Sequence, residues 1–267
     1  MQINSNTVAV VTGAASGIGR SLAQHLASKG ASLALADVNE AGLEETRASL
    51  TGVKTSLHIV NVADASRVAT FAQEVLEQHG RANLLFNNAG VALGGRFSEV
   101  TLEDMHWLFD INFWGVVHGC QAFMPILKKE PFAHIVNTSS VFGIFAPPGQ
   151  TAYGAAKFAV RGFSESLRHE LESSSIRVSV VHPGGIKTAI ARNARFGTNA
   201  NAQRLEQGLK NLEKGFITTP EAAAERIVRG VERNEPRILI GKDAVQVDWI
   251  QRFFPSTYWG VLKKVLR

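Results

Sequence analysis

Short runs of β-branched and apolar residues alternate along the chain with longer stretches of helical periodicity. "VAVVTG" (Val8 to Gly13), "SLALAD" (Ser32 to Asp37), "LHIVNV" (Leu57 to Val62) and "NLLFNNAG", which runs into a glycine turn, predict four strands. "HIVNTSS", "IRVSVVHPGG" and "PRILIG" (Pro236 to Gly241) predict three more. Between them the pattern predicts helices over Gly19 to Gly30, after Asp37 through Leu50, over Asp64 to Gly80 with Asp64 as N-cap, across most of Thr101 to Lys128, and over Ala152 to Glu172. Strands that alternate with helices imply right-handed crossovers and a seven-stranded parallel sheet covered on both faces. There is no linker and no internal repeat, so one α/β domain over residues 1–248 is the economical reading. Residues 190–217 are rich in charged and polar side chains and read as an insertion, a candidate mobile lid. Residues 249–267 form a basic, aromatic tail.

Composition narrows this picture. The chain has 267 residues, 45% hydrophobic and 19% charged, enough to bury a large core without staples. A single cysteine, Cys120, excludes an internal disulfide, and nothing argues for an oxidising compartment. "MQINSN" has no apolar stretch behind a basic region, so no secretory signal is expected, and a cytoplasmic location is. No run is long and apolar enough to span a bilayer. The net charge of +5 could point to nucleic acid, but the basic residues are scattered, so a solvated basic surface is expected and no nucleic-acid partner. The eight histidines show no metal-ligand spacing, so no metal is expected. The sequon at Asn137 falls in an expected central strand and is set aside.

Two stretches carry chemistry. "TGAASGIG" (Thr12 to Gly19) follows the first strand and opens the first helix. Small residues let a backbone approach a pyrophosphate, and the helix N-terminus offers it free N–H groups. Gly13, Gly17 and Gly19 do not match the G-x-G-x-x-G spacing, so the motif gains its force from the strand-turn-helix context. Asp37 ends the second strand, where a carboxylate can accept from adenosine ribose hydroxyls and repel a 2′-phosphate; NAD is therefore favoured over NADP. The plain alternative for Asp37 is a turn or cap residue. The second stretch holds one of the chain's two tyrosines, Tyr153, four residues before Lys157. On a helix that spacing puts both on one face, and an ammonium beside a phenol is expected to pull its pKa below the usual value of about 10. Singly, Tyr153 also reads as a core residue, Lys157 as an exposed charge, Ser140 as a strand-end cap and Asn112 as a polar kink in a long helix.

Together these residues resemble the classical short-chain dehydrogenase/reductase family, over roughly Thr7 to Thr188. The carriers are "TGAASGIG", "NNAG" (Asn87 to Gly90), Asn112, Ser140, "YGAAK" (Tyr153 to Lys157) and "PGG" (Pro183 to Gly185) followed by Thr188. The resemblance implies a Rossmann-like doubly wound fold in a single domain. It implies a catalytic set of Asn112, Ser140, Tyr153 and Lys157, with Ser140 favoured over Ser139 by its thirteen-residue separation from Tyr153. Tyr153 would exchange the proton, Ser140 would steady the substrate oxygen, Lys157 would hold the nicotinamide ribose, and Asn112 would hold a water on a proton path. For the dinucleotide it implies Gly13, Ser16, Gly17, Ile18, Gly19, Asp37, Asn88, Ala89 and Gly90. Tyr153, Lys157, Pro183, Gly184, Ile186 and Thr188 would hold the nicotinamide end. The adenine position departs from the family's usual aspartate: here it is Asn61 and Val62, and asparagine can still hydrogen-bond a ring amine. The resemblance also implies a homodimer or homotetramer.

The substrate side is apolar. Val91, Leu93, Phe97, Phe142, Phe145, Pro147 and Pro148 lie in loops expected at the C-terminal edge of the sheet, where they either line a site for an apolar alcohol or ketone or pack under the insertion. Arg192, Arg195 and Lys210 either meet an anionic substrate end or stay solvated. His182 reads as packed. In the tail, Tyr258, Val261, Leu262, Val265 and Leu266 share one helical face, expected first to cover a subunit or the protein's own cleft and second to touch a membrane surface. The activity expected is NAD(H)-dependent interconversion of a secondary alcohol and a ketone. The rivals are an idle dinucleotide-binding sensor or scaffold and a lipid-modifying reductase docked on a membrane by its tail.

Overall fold

The computed structural model describes residues 2–201, 203, 207, 208 and 216–265. Seven parallel strands form its spine: β1 (Val8–Thr12), β2 (Ser32–Asp37), β3 (Thr55–Ile59), β4 (Leu84–Asn87), β6 (Ala133–Thr138), β7 (Ile176–Pro183) and β9 (Arg237–Ile240). Their order is β3, β2, β1, β4, β6, β7, β9, so the chain reverses direction across the sheet between β1 and β4. A crevice opens at such a reversal, outside the carboxyl ends of the strands. This is the doubly wound seven-stranded sheet read from the sequence.

The side-chain period of two divides the strands between the two faces. Ala9 and Val11 of β1, Leu33 and Leu35 of β2, and Leu84 and Phe86 of β4 bury into a core with α1 (Gly17–Ser28) and α7 (Pro220–Glu232). Val10, Ala34 and Leu85 face the other way. There they meet α3 (Ala65–His79), α5 (Gly115–Leu127) and α6 (Thr151–Glu170), with Phe71 and Phe123 edge-on at 5.4 Å. Burying one such side chain contributes about 1.5–3 kcal/mol. α2 (Glu40–Ala48) starts at Asn39, whose side chain accepts from the Gly42 N–H, and α3 starts at Asp64 as expected.

The structure departs from the sequence pattern in three places. The third strand runs over Thr55–Ile59, not to Val62, because Asn61 folds the chain away. Its side chain accepts from the Ala63 N–H and its carbonyl accepts from the Asp64 N–H. The helical region after Thr101 is α4 (Leu102–Phe109), a π-helical turn over Asp110–Trp114, and α5. A π turn carries one extra residue, a device common at functional sites. The third departure is a small second sheet with no sequence signal, in which β5 (Leu93–Gly94) pairs in parallel with β8 (Arg195–Phe196). After β9 come α8 (Lys242–Phe253) and α9 (Tyr258–Val265), so the tail is two helices.

Candidate active site

The glycine-rich turn is clasped between the ends of β1 and β4. The Thr12 hydroxyl oxygen accepts the N–H groups of Asn88 and Ala89 at 3.0 and 3.1 Å, and the Asn88 amide donates to the Thr12 carbonyl at 3.1 Å. Gly13 has φ of +68°, and a methyl there would lie 2.8 Å from the Ala89 Cα. A methyl on Gly19 would lie 2.0 Å from the Gly13 carbonyl oxygen. These residues are glycine because the turn and the helix leave no room for a side chain. Ser16 is the N-cap of α1 yet makes no capping bond, and with Ile18 it completes the first turn. Asp37 closes this side, with its carboxylate accepting from the Ala15 N–H and the Asn39 N–H, each at 3.0 Å. A carboxylate, a bare helix N-terminus and a cradle that a Cβ would fill suit a dinucleotide.

Val62 is buried and its carbonyl accepts from the His118 ring at 2.9 Å, while Asn61 is exposed beside it. A methyl on Gly115 would strike Val62 at 2.7 Å, so α5 rides directly against this loop. Opposite, β7 ends at Pro183. The Gly184 N–H donates to the Ile240 carbonyl, and the Gly185 N–H donates to Asp243 at 2.7 Å. Ile186 bridges Thr218, and the Thr188 methyl lies 3.1 Å from where a Gly17 Cβ would sit. Thr188 therefore abuts the glycine-rich turn. Asp243, which carried no sequence signal, holds this loop from the first turn of α8.

The four candidate catalytic residues converge on one edge of the sheet. Asn112 sits in the π turn, fully buried, and grips Val91 with its amide: Oδ1 accepts the Val91 N–H at 2.8 Å and Nδ2 donates to the Val91 carbonyl at 2.9 Å. It is thus both the kink and a site residue. A methyl on Gly90 would lie 3.2 Å from the Asn112 oxygen and 3.5 Å from the Lys157 ammonium, so Gly90 lets the two approach. The Lys157 ammonium is buried and donates to the Thr138 carbonyl at 3.1 Å. Ser140 caps a single 3₁₀ turn over Val141–Gly143, its hydroxyl accepting from the Phe142 N–H at 3.1 Å, and the Phe142 ring meets the Tyr153 ring edge-on at 6.1 Å. The adjacent Ser139 instead donates to the Lys157 carbonyl at 2.8 Å, a structural tie away from the phenol. Behind Ser140, the fully buried His182 donates from Nδ1 to the Ser140 carbonyl at 2.9 Å; burial lowers it to about 4, so it is neutral.

The expected pKa effect does not hold. Burial pushes Tyr153 up to about 12, with Ser140 pulling the other way. Burial also lowers Lys157 to about 8. The reason is geometric. Four residues along α6 set the ammonium over the ring, 5.7 Å from its centroid, and it donates to Thr138 rather than to the phenolic oxygen.

Other expectations on the substrate side also change. Arg195 stays exposed, its side chain 40% accessible, but it is not free. It pairs with Asp104 at 3.0 Å and lies over the Trp107 ring at 5.0 Å. Asp104 is fully buried. Burial alone would raise its carboxyl, but hydrogen bonds from Thr198 and Thr101 bring it to about 2. No motif marked this aspartate beyond a capping pair with Thr101. It is what anchors the start of the 190–217 insertion to α4. Lys210 and Leu266 lie outside the described residues. Leu93 and Phe145 are core residues and Phe97 is 68% exposed, so of the expected lining only Val91, Phe142, Pro147 and Pro148 remain as candidates. The tail packs on its own chain. Leu262 is buried with Ile144, Phe145 and Val247, and the Ala146 N–H donates to the Tyr258 hydroxyl at 3.4 Å.

The fold and the glycine-lined crevice define a Rossmann-like nucleotide-binding protein. Comparison with known proteins narrows the class, for the short chain dehydrogenase family model matches residues 7–198, and the chain belongs to that family. A Mycobacterium tuberculosis protein named as oxidoreductase SadH is 42% identical over 94% of this chain and 92% of its own length. A short-chain dehydrogenase/reductase from Burkholderia phymatum, solved in complex with NAD, superposes with a TM-score of 0.86 at 31% identity, covering 94% of each chain. A short-chain dehydrogenase from Streptomyces avermitilis superposes at 0.84 with 27% identity, covering 98% of each. The protein is therefore an oxidoreductase acting on CH–OH donors.

Proposed function

We propose that the protein interconverts a secondary alcohol and a ketone with NAD(H), using Tyr153 as the acid and base. The reading rests on one observation above others. The Tyr153 phenol, its pKa raised by burial and pulled down by Ser140, sits beside a buried Lys157 whose ammonium lies 5.7 Å from the ring centroid, at the carboxyl edge of the sheet next to the glycine-rich turn. Gly13, Gly17, Gly19 and the α1 N-terminus would hold the pyrophosphate, and Asp37 the adenosine ribose. Asn88, Ala89 and Gly90 line the same side, with Asn61 and Val62 at the adenine end. Pro183, Gly184, Ile186 and Thr188 would hold the nicotinamide end. Bound NAD(H) supplies or accepts the hydride.

The chain's own residues handle the proton and the oxygen. With its pKa raised, Tyr153 is protonated at neutral pH and suits donation to a carbonyl oxygen. Ser140 would hydrogen-bond that oxygen as charge develops on it. Lys157 would steady the ribose and recharge the tyrosine, and Asn112, locked onto Val91, would fix the wall beside the ammonium. Val91, Phe142 and the two prolines give the cleft an apolar mouth, which favours an apolar substrate. The oligomer expected of the family remains part of this proposal.

The test compares wild-type protein and Tyr153→Phe on a panel of secondary alcohols and ketones with NAD(H) and NADP(H). Turnover should fall by about a thousandfold while NADH affinity, read by fluorescence titration, stays within about twofold. Retained turnover would remove the tyrosine from the chemistry. A wild-type protein that binds NADH yet turns over nothing would favour the sensor.

A further inference from the structure

The C-terminal pair α8 and α9 carries an outward face that nothing in the described chain covers. On α8, Val245, Trp249 and Phe253 recur every four residues and form one ridge. Trp249 is 56% exposed and Phe253 69%, and their rings stack at 5.6 Å with 12° between planes. Phe254, 48% exposed, extends the ridge into the turn that follows. Most exposed apolar residues of a folded chain are scattered singly; a continuous ridge of three aromatic rings marks contact with something.

The charges around the ridge say what it meets. Both acidic residues of α8 are tied up within the chain, Asp248 buried and Asp243 exposed at the first turn. Asp243 accepts from the Gly185 N–H at 2.7 Å, and Asp248 pairs with Arg237 and with Arg252, the latter at 3.1 Å. The outer surface keeps the cations. Arg252 flanks the ridge, Lys242 opens the helix, and α9 adds exposed Lys263 and Lys264, with Lys263 lying over the Trp259 ring at 5.6 Å. From Trp249 to Arg267 the sequence holds no acid.

We propose that this face is a docking surface for an anionic lipid bilayer, with the ridge inserted at headgroup depth and Arg252, Lys263 and Lys264 on the phosphates. Indole and phenyl rings beside cations on a short amphipathic element are the chemistry of interfacial binding. A second copy of the chain fits less well. A two-fold contact would set this basic face against itself. The ridge spans about 12 Å of helix, too little for the roughly 800 Å² per partner that a stable pair buries. The surface also continues to the catalytic side. Through Tyr258 and Leu262, α9 packs on Ile144, Phe145 and Ala146, in the segment between Ser140 and Tyr153. A docked protein would present that segment to the bilayer surface, where apolar substrates partition. The docking surface does not depend on the reaction assigned above.

The experiment is sedimentation of the full-length protein with phosphatidylcholine vesicles and with vesicles containing about one-third phosphatidylserine, at low and high salt. The expected result is binding to the anionic vesicles, weakened at high salt. It should drop at least tenfold in Trp249→Ser/Phe253→Ser, and also in Lys263→Glu/Lys264→Glu, with turnover of a water-soluble substrate unchanged. Three results would overturn the proposal: no binding to anionic vesicles, binding that neither pair of substitutions alters, and a ridge variant that changes the mass in solution by light scattering. The last would assign the face to a second copy.

Discussion

The two sides of the cleft are held by different means. On the dinucleotide side the parts are backbone and small residues: Gly13 with its positive φ, Gly19 under the Gly13 carbonyl, and Thr12 clasping two N–H groups of the β4 turn. All lie within short reach of β1 and β4. On the substrate side, charged or polar side chains from distant segments do the holding. Asp104 on α4 fixes Arg195 and Thr198, and Tyr258 on α9 fixes Ala146. A backbone cradle tolerates almost no substitution and serves one invariant ligand shape. Side-chain anchors can be re-sited without moving the sheet, so loops held this way can vary the substrate on an unchanged scaffold.

The strongest test of this contrast uses acid. Burial lowers the pKa of His182 to about 4, so its unfolded form binds the extra proton between the ordinary value of 6.5 and about 4. Stability is therefore complete above 6.5 and is lost as pH falls through that window, on the order of 3 kcal/mol by pH 4 from this residue. His134 on β6, lowered by burial to about 3, adds to the same slope. On the other side His58 is also lowered by burial, but Glu74 at 2.7 Å opposes the shift. Hydrogen exchange should show β6 and β7 losing protection before β1 and β2, and His182→Asn should flatten the acid slope. Equal loss on both sides would erase the distinction.

Next in size is Gly19→Ala. Its methyl has only 2.0 Å to the Gly13 carbonyl oxygen, so α1 must shift. NAD affinity should weaken by about a hundredfold, roughly 2.7 kcal/mol, as read by calorimetry. Asp104→Asn probes the other side. It keeps the shape but removes the charge that holds Arg195, so the alcohol KM should rise about tenfold while NAD affinity stays within about twofold. If NAD affinity fell in step with KM, the two sides would not be separable. The smallest effect is expected from Asp37→Ala, which should narrow the preference for NAD over NADP by about fivefold in kcat/KM. An unchanged ratio would assign cofactor choice to another residue.

The residues that could be read in advance share a feature. The strands β1, β2, β4, β6, β7 and β9 announced themselves by runs of apolar residues, and α3 by Asp64 and its closing Gly80. The dinucleotide turn was legible because a strand, three glycines and a helix are contiguous. Tyr153 and Lys157 were legible because helical spacing places them on one face of α6. What was not legible depended on partners far away in the chain. Asp104 looked like a helix cap until the fold brought Thr198 and Arg195 to it, 94 and 91 residues later. β5 and β8 are two residues each, too short to show a period. Asp243 gave no sign of the Gly185 loop it holds.

By itself, then, the chain's local order determined the elements, their parallel stacking and the identity of the groups at the crevice, because helix and strand periods are written in neighbouring residues. Only the folded molecule decided how those groups bear on one another. It tied Ser139 to the Lys157 carbonyl, turned Lys157 over the ring so that burial governs Tyr153, and bound the exposed Arg195 to a buried Asp104. Such outcomes hang on distances and burial between segments remote in sequence, and those exist only once the sheet and its helices have packed.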